Sequence, residues 1–239
     1  MCALENQFAR LHTTGTNVTF THALPLMCVD ELGERDLVAL KVDASEVVLW
    51  RDDRGSLNLW DDRCCHRGVR LSIGTHTGSE LKCRYHGWKF ASGGACTFIP
   101  AHPDQTPPLA ARSVVHTCVE KYGLLWVLGS GSELPVWPVL NGASVTTLRS
   151  VTVHAGLAAV RSELEARFPI EQREDFWMMT CRDVDGKRTP LILALLPESH
   201  ESTAIHTAVR GAFSGEVWLR LARAHNDELK SVRASLESI

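Results

Sequence analysis

No apolar run in this chain of 239 residues approaches the roughly 18 that a membrane-crossing helix needs, so no spanning segment is expected. An excess of one charge is missing as well. Lys and Arg number 25 against 28 Asp and Glu, a net charge of −3, which points to neither nucleic acid nor an anionic membrane as partner. Met1–Arg10 carries Glu5 and Arg10 without an apolar stretch, so a secretory signal is not expected and a cytoplasmic location is. Internal repeats and low-complexity tracts are absent. A disulfide framework is also not expected. The eight cysteines (Cys2, Cys28, Cys64, Cys65, Cys83, Cys96, Cys118 and Cys181) are scattered, which suits reduced thiols, some of them metal ligands. With 44% hydrophobic residues the chain can build a sizeable core.

The first half reads as β. Short β-prone runs occur at Val18–Phe20, Val38–Val42, Val47–Trp50, Leu57–Trp60, Leu81–Arg84, Trp88–Ala91, Val114–Glu120 and Leu124–Leu128, punctuated by Gly and Pro. Arg51-Asp52-Asp53-Arg54-Gly55 is a turn that makes a hairpin of two of them. Gly129–Gly142, with three Gly and two Pro, reads as a boundary and divides the chain into domains 18–140 and 141–239. Beyond it, Ala158–Phe168 predicts a helix stopped at Pro169. Phe176–Arg182, Leu191–Leu196 and Thr203–Val209 predict an antiparallel meander turning at Asp185-Gly186 and Pro197-Glu198. Apolar residues at 217, 218, 221, 222, 229, 232 and 236 recur at helical spacing and predict a long C-terminal amphipathic helix. The expected class is α+β: an all-β domain, then a sheet packed on a long helix.

The chemistry lies in Cys64-Cys65-His66-Arg67-Gly68 and Cys83-Arg84-Tyr85-His86-Gly87-Trp88. The pattern is C-x-H, sixteen residues, then C-x-x-H. Each half offers one thiolate and one imidazole. Two such loops can hold two irons, one on Cys64 and Cys83, the other on His66 and His86. Neutral imidazoles lower the negative charge of the cluster and raise its potential above that of an all-cysteine one. A Cys2His2 zinc site is the alternative, but it places two cysteines in one half and two histidines in the other. Gly68, Gly74 and Gly87 are expected to let backbone N–H groups approach the sulfides. Cys65 is expected to fill the loop with its side chain turned away. Trp50, Trp60, Trp88, Trp126 and Trp137 are expected in core packing, with Trp88 shielding the cluster from water.

These motifs resemble those of the Rieske non-haem iron oxygenases, the ring-hydroxylating and demethylating enzymes. Their cluster region reads about C-P-H-R-G-x-x-L-S-x-G, then C-P-Y-H-G-W-x-F. This chain has Cys64-Cys65-His66-Arg67-Gly68-Val69-Arg70-Leu71-Ser72-Ile73-Gly74 and Cys83-Arg84-Tyr85-His86-Gly87-Trp88-Lys89-Phe90, departing at Cys65 and Arg84. The likeness spans about residues 18–140, from the hairpin at Val47–Gly55 through Ile99-Pro100-Ala101 to Val119–Val127. Val69 and Tyr85 stand where respiratory Rieske proteins carry disulfide cysteines, which implies a potential near the low end of the range, about −150 mV.

The resemblance also implies a second site, one iron on two histidines and a carboxylate borne by a helix reading about N-x-x-D-x-x-H-x4-H. That motif is absent. After the cluster region come His154, His200, His206 and His225, and no two are four or five apart. All four read as solvated or structural. The C-terminal half therefore reads as a shortened form of the helix-grip catalytic domain of that family, without its mononuclear Fe(II). Three functions follow. The first is an electron-transfer subunit, passing electrons from a reductase or ferredoxin to a partner oxygenase subunit in a hetero-oligomer, possible within a trimer-based assembly, with His86 or His66 as exit ligand. The second is a self-sufficient oxygenase with iron on unusual ligands among His154, His200, His206, Glu163 and Asp175. The third is a redox-sensing or partner-stabilising subunit without turnover.

Overall fold

The structure, a computed structural model, describes residues 19–33 and 36–237. The expectations for Met1–Arg10 and Val18 lie outside them. Packing divides the chain into two compact units whose segments alternate along the sequence. Among the described residues one holds 19–20, 33, 36–40 and 45–118, the other 21–32, 41–44 and 119–237.

The first unit is β throughout. β3 (Ser45–Arg51) and β4 (Leu57–Asp61) form the expected hairpin, from Val47 opposite Asp61 to Arg51 opposite Leu57. Gly55 closes the turn with φ +82° and donates its N–H to Asp52 O. Asp52 fixes this turn, accepting from the N–H groups of Arg54 and Ser56 and from Ser92 Oγ. β4 also pairs with the start of β9 (Val115–Lys121). A separate antiparallel sheet runs β5 (Thr75–His76), β6 (Glu80–Lys82), β7 (Lys89–Ala91), β8 (Cys96–Phe98). Thr19 and Phe20 are not in a strand, but Phe20 is buried edge-on against His116.

The second unit joins β1 (Leu24–Cys28) to β10 (Leu124–Leu128), and carries a five-stranded antiparallel sheet. The sheet order is β11 (Val145–Val153), β15 (Ser202–Arg210), β14 (Lys187–Ser199), β13 (Trp177–Val184), β12 (Ile170–Glu174). Leu191–Leu196 is buried along its whole length because both faces are covered. Ile192 and Ala194 pack with Trp126, Trp137 and Trp177, while Leu193 and Leu195 pack under the helices. α1 (Leu157–Arg167) ends where Phe168 donates its N–H to Leu164 O, just before Pro169. α2 (Gly215–Glu237) is the long amphipathic helix, burying Leu221, His225, Leu229 and Val232 on one face. His225 fills the gap in the apolar stripe.

Two details correct the expectation. Pro197 and Glu198 lie within β14 rather than in a turn, and the chain reverses at His200-Glu201. The ladder shifts register beside Pro197, which is how a strand accommodates a residue without an N–H. Gly129–Gly142 has no helix or strand, but it is anchored: Trp137 and Leu140 are buried in the core of the second unit.

Candidate metal centre

The two candidate loops have the same backbone. In the first, Cys64 N–H donates to Val69 O at 2.8 Å and Gly68 N–H to Cys64 O at 2.8 Å. In the second, Cys83 N–H donates to Trp88 O at 2.9 Å and Gly87 N–H to Cys83 O at 3.1 Å. Gly68 and Gly87 have φ of +69° and +70°, a left-handed turn in which a side chain is strained. Between Cys and Gly the residues differ, Cys65-His66-Arg67 against Arg84-Tyr85-His86, which puts the imidazole two residues after Cys64 but three after Cys83. The first loop is pinned at its base by buried Asp62, which accepts from Ser72 N–H at 2.7 Å and Ser72 Oγ at 2.6 Å.

The glycines divide the labour differently from the expectation. A Cβ on Gly68 would meet nothing within 4 Å, so its role is the turn. A Cβ on Gly74 would lie 2.4 Å from Lys82 O and 2.9 Å from Leu71 O. Gly74 thus lets the first loop lie against the backbone just before Cys83.

Cys64 and Cys83 belong to the core of the first unit, with Trp50, Trp60, Leu71, Leu81 and Phe90. Their sulfurs are hydrogen-bonded to each other, and Cys65 also bonds Cys64. Cys65 is therefore turned toward Cys64, not away from it, and it packs on the same core. The bond to Cys65, with burial, pushes the Cys64 thiol up to about 11 against the lowering effect of Cys83, and the bond to Cys64 raises Cys83. Two adjacent thiols resist losing both protons unless a cation compensates. The rings of His66 and His86 are 4.7 Å apart, and His66 stacks on Trp88 at 4.5 Å and 7°. Burial lowers the pKa of His66, helped by His86 and Arg67, which favours the neutral form that a metal ligand needs. His86 Nδ1 is buried without a hydrogen-bond partner. Paired sulfurs, paired imidazoles and an orphaned nitrogen fit the donor set of a two-iron cluster.

Among the described residues the candidates for a second iron do not form one ligand cluster. His154 and exposed His200 line the same cleft, of about 490 Å³, but their ring nitrogens do not converge with a carboxylate. Glu163 pairs with Arg167, and Asp175 with Arg161. His206 is buried in β15, with Ser150 Oγ at 2.7 Å from its Nδ1. His225 Nε2 lies 2.8 Å from Thr207 Oγ1, and burial drives its pKa to about 3. One convergent group was not legible in sequence: Cys28, Glu31 and His206, whose ligand atoms lie within 4.8 Å of one another.

Comparison with known proteins fits this geometry. The family described as "Rieske [2Fe-2S] domain" matches residues 22–122. Oxidoreductase NdmD of Pseudomonas putida is 42% identical over 147 residues, 59% of this chain and 25% of that protein. Methylxanthine N1-demethylase NdmA of the same species is 41% identical over 91 residues, 38% of this chain and 26% of that protein. The chain spans about a quarter of the length of these curated relatives. Among solved structures, NdmA of Pseudomonas putida CBB5 superposes with a TM-score of 0.72 at 22% identity, covering 91% of this chain and 81% of that one. Apo dicamba monooxygenase does so with a TM-score of 0.73 at 15% identity, covering 94% and 87%. At those identities the likeness shows the fold. No helix among the described residues is long and apolar enough to cross a membrane.

Proposed function

We propose that this chain, whose residues 22–122 form a Rieske [2Fe-2S] domain homologous to those of oxygenase systems, is the electron-carrying component of such a system. A Rieske domain implies a 2Fe–2S cluster, which stores and releases one electron. Cys64 and Cys83 hold one iron and His66 and His86 the other. The observation that carries this reading is the pair of matched loops, which bring two sulfurs into contact and two imidazoles to 4.7 Å.

The residues around the site have distinct tasks. Trp88 and the core beneath it keep water from the cysteine side. His66 and His86 form the half-exposed edge, with Tyr85 lying 3.8 Å from the His86 ring and 58% exposed. His86 is the exit ligand toward a partner. Arg67 and Arg84 are exposed next to the two histidines and favour a partner with an acidic face.

In this reading electrons arrive from a reductase or ferredoxin and leave to the mononuclear iron of a separate oxygenase subunit, in a trimer-based hetero-oligomer in the cytoplasm. Residues 18–140 are the electron-carrying domain and 141–239 a shortened helix-grip domain without a mononuclear iron, although β1 and β10 pack in the second unit. His154 and His200 share a cleft, but Glu163 and Asp175 are paired with Arg167 and Arg161 rather than with them, which favours this over a self-sufficient oxygenase. Iron and sulfide quantitation with EPR of the reduced protein tests it. The expected result is a Rieske signal and iron matching sulfide. Substrate oxidation by this chain with a reductase alone would overturn it.

A further inference from the structure

We propose that Cys28, Glu31 and His206 form a second metal site, for one divalent transition ion of the zinc class. It lies wholly in the second unit and shares no residue with the cluster loops.

β1 ends at Cys28, and the 3-10 turn Val29–Glu31 folds the Glu31 carboxylate back onto it. Glu31 Oε2 accepts from Cys28 N–H at 3.2 Å and from Ser150 Oγ at 2.6 Å, and Oε1 accepts from Ser150 N–H at 2.9 Å. Cys28 Sγ is 3.6 Å from Ser150 Oγ and donates to Leu148 O at 3.4 Å. His206 Nδ1 is 2.7 Å from the same hydroxyl. A carboxylate cannot donate, so Ser150 gives its one proton to Glu31 and accepts from His206 Nδ1–H. His206 Nε2 is buried with no partner, so a single hydrogen bond holds the ring.

A thiol, an imidazole and a carboxylate thus converge on one hydroxyl, their ligand atoms within 4.8 Å of one another. Zinc bonds of about 2.0–2.3 Å in a tetrahedron place ligand atoms about 3.5 Å apart, within reach of small side-chain rotations. A sulfur–nitrogen–oxygen set selects zinc or cobalt over magnesium or calcium. Ser150 Oγ or a water completes the four. Glu31 is exposed and gives an entry path, while Cys28 and His206 are buried at 1% and 3% exposure. So deep a thiol is a poor nucleophile, which argues against a reactive cysteine. On binding, the ion displaces the Cys28 proton to solvent, and no oxidant or reductant is required.

Titration of the cluster-loaded chain with Co²⁺, followed by difference absorption, tests the proposal. One equivalent should produce a thiolate-to-cobalt charge-transfer band and tetrahedral d–d bands, both displaced by Zn²⁺. Cys28→Ser should abolish the charge-transfer band, and Glu31→Gln should weaken binding tenfold or more. No band, or a band that survives Cys28→Ser, overturns the site. If Cys28→Ser does not fold, unchanged affinity in Glu31→Gln overturns it instead. The Rieske EPR signal reports the electron-transfer reading separately, because none of the three residues is a cluster ligand.

Discussion

The two units use histidine in opposite ways. In the candidate loops His66 and His86 are half-exposed and face each other at 4.7 Å. In α2, His225 is 1% exposed, its Nε2 meets the Thr207 hydroxyl, and burial drives its pKa to about 3. In the proposed reading the same side chain is a ligand where a rigid turn presents it at an edge, and a neutral core fixture where a helix face carries it inward. His206 lies between these cases, as buried as His225 but beside a thiol and a carboxylate.

Breaking the first half of that comparison gives the largest effect. His86→Ala should abolish the EPR signal of the reduced cluster, because in the proposed assignment the one histidine-bound iron has only two protein ligands. His225→Leu should leave the signal intact. A signal that persists in His86→Ala would show that the ligand set is wrong. Gly74→Ala comes next. Its Cβ would lie 2.4 Å from Lys82 O, a backbone atom that cannot step aside without parting the loops. Overpacking of this kind costs about 1–3 kcal/mol, so iron release to a chelator should accelerate about fivefold or more. Gly68→Ala meets no atoms within 4 Å, and only its φ of +69° opposes it, so its release rate should change less.

The second half of the comparison is tested by pH. His225 has its folded pKa lowered from 6.5 to about 3. Below pH 6.5 the unfolded chain binds a proton that the folded chain refuses. Its contribution is therefore complete above that pH and is lost as pH falls toward 3, by up to about 1.4 kcal/mol per pH unit. His225→Leu should flatten this acid limb. Urea midpoints compared at neutral and mildly acidic pH read the difference, and an unchanged slope would mean the ring is not buried neutral.

The two candidate loops were legible because their spacing is local. Cys64, His66, Cys83 and His86 sit in two short segments, and Gly68 and Gly87 mark the turns. The hairpin, both helices and most of the meander followed from periodicity and turn residues. What was missed depended on partners distant in sequence. β1 carries Pro25 and is held by pairing with β10, with a register shift beside the proline. β12 is an edge strand whose residues past Ile170 are exposed, so it offers no apolar alternation. Cys28, Glu31 and His206 converge only because β1, the turn after it and β15 meet around Ser150, from segments more than 170 residues apart. No motif spans such a gap.

The smallest effect is expected at Cys65, and it tests the equivalence of the loops directly. Cys65 follows Cys64 as Arg84 follows Cys83, so the second loop dispenses with a sulfur at that place. Yet Cys65 bonds the Cys64 sulfur and packs on the core of the first unit. Cys65→Ala should keep the cluster and its EPR signal. It should cost about 1 kcal/mol of stability, the scale of one hydrogen bond, and lower the midpoint potential slightly, since a donor to a ligand sulfur stabilises the reduced cluster. Protein-film voltammetry measures the shift. Loss of the cluster would mean that Cys65 and not Cys64 is the ligand, and that the first loop binds iron with a backbone the second does not share.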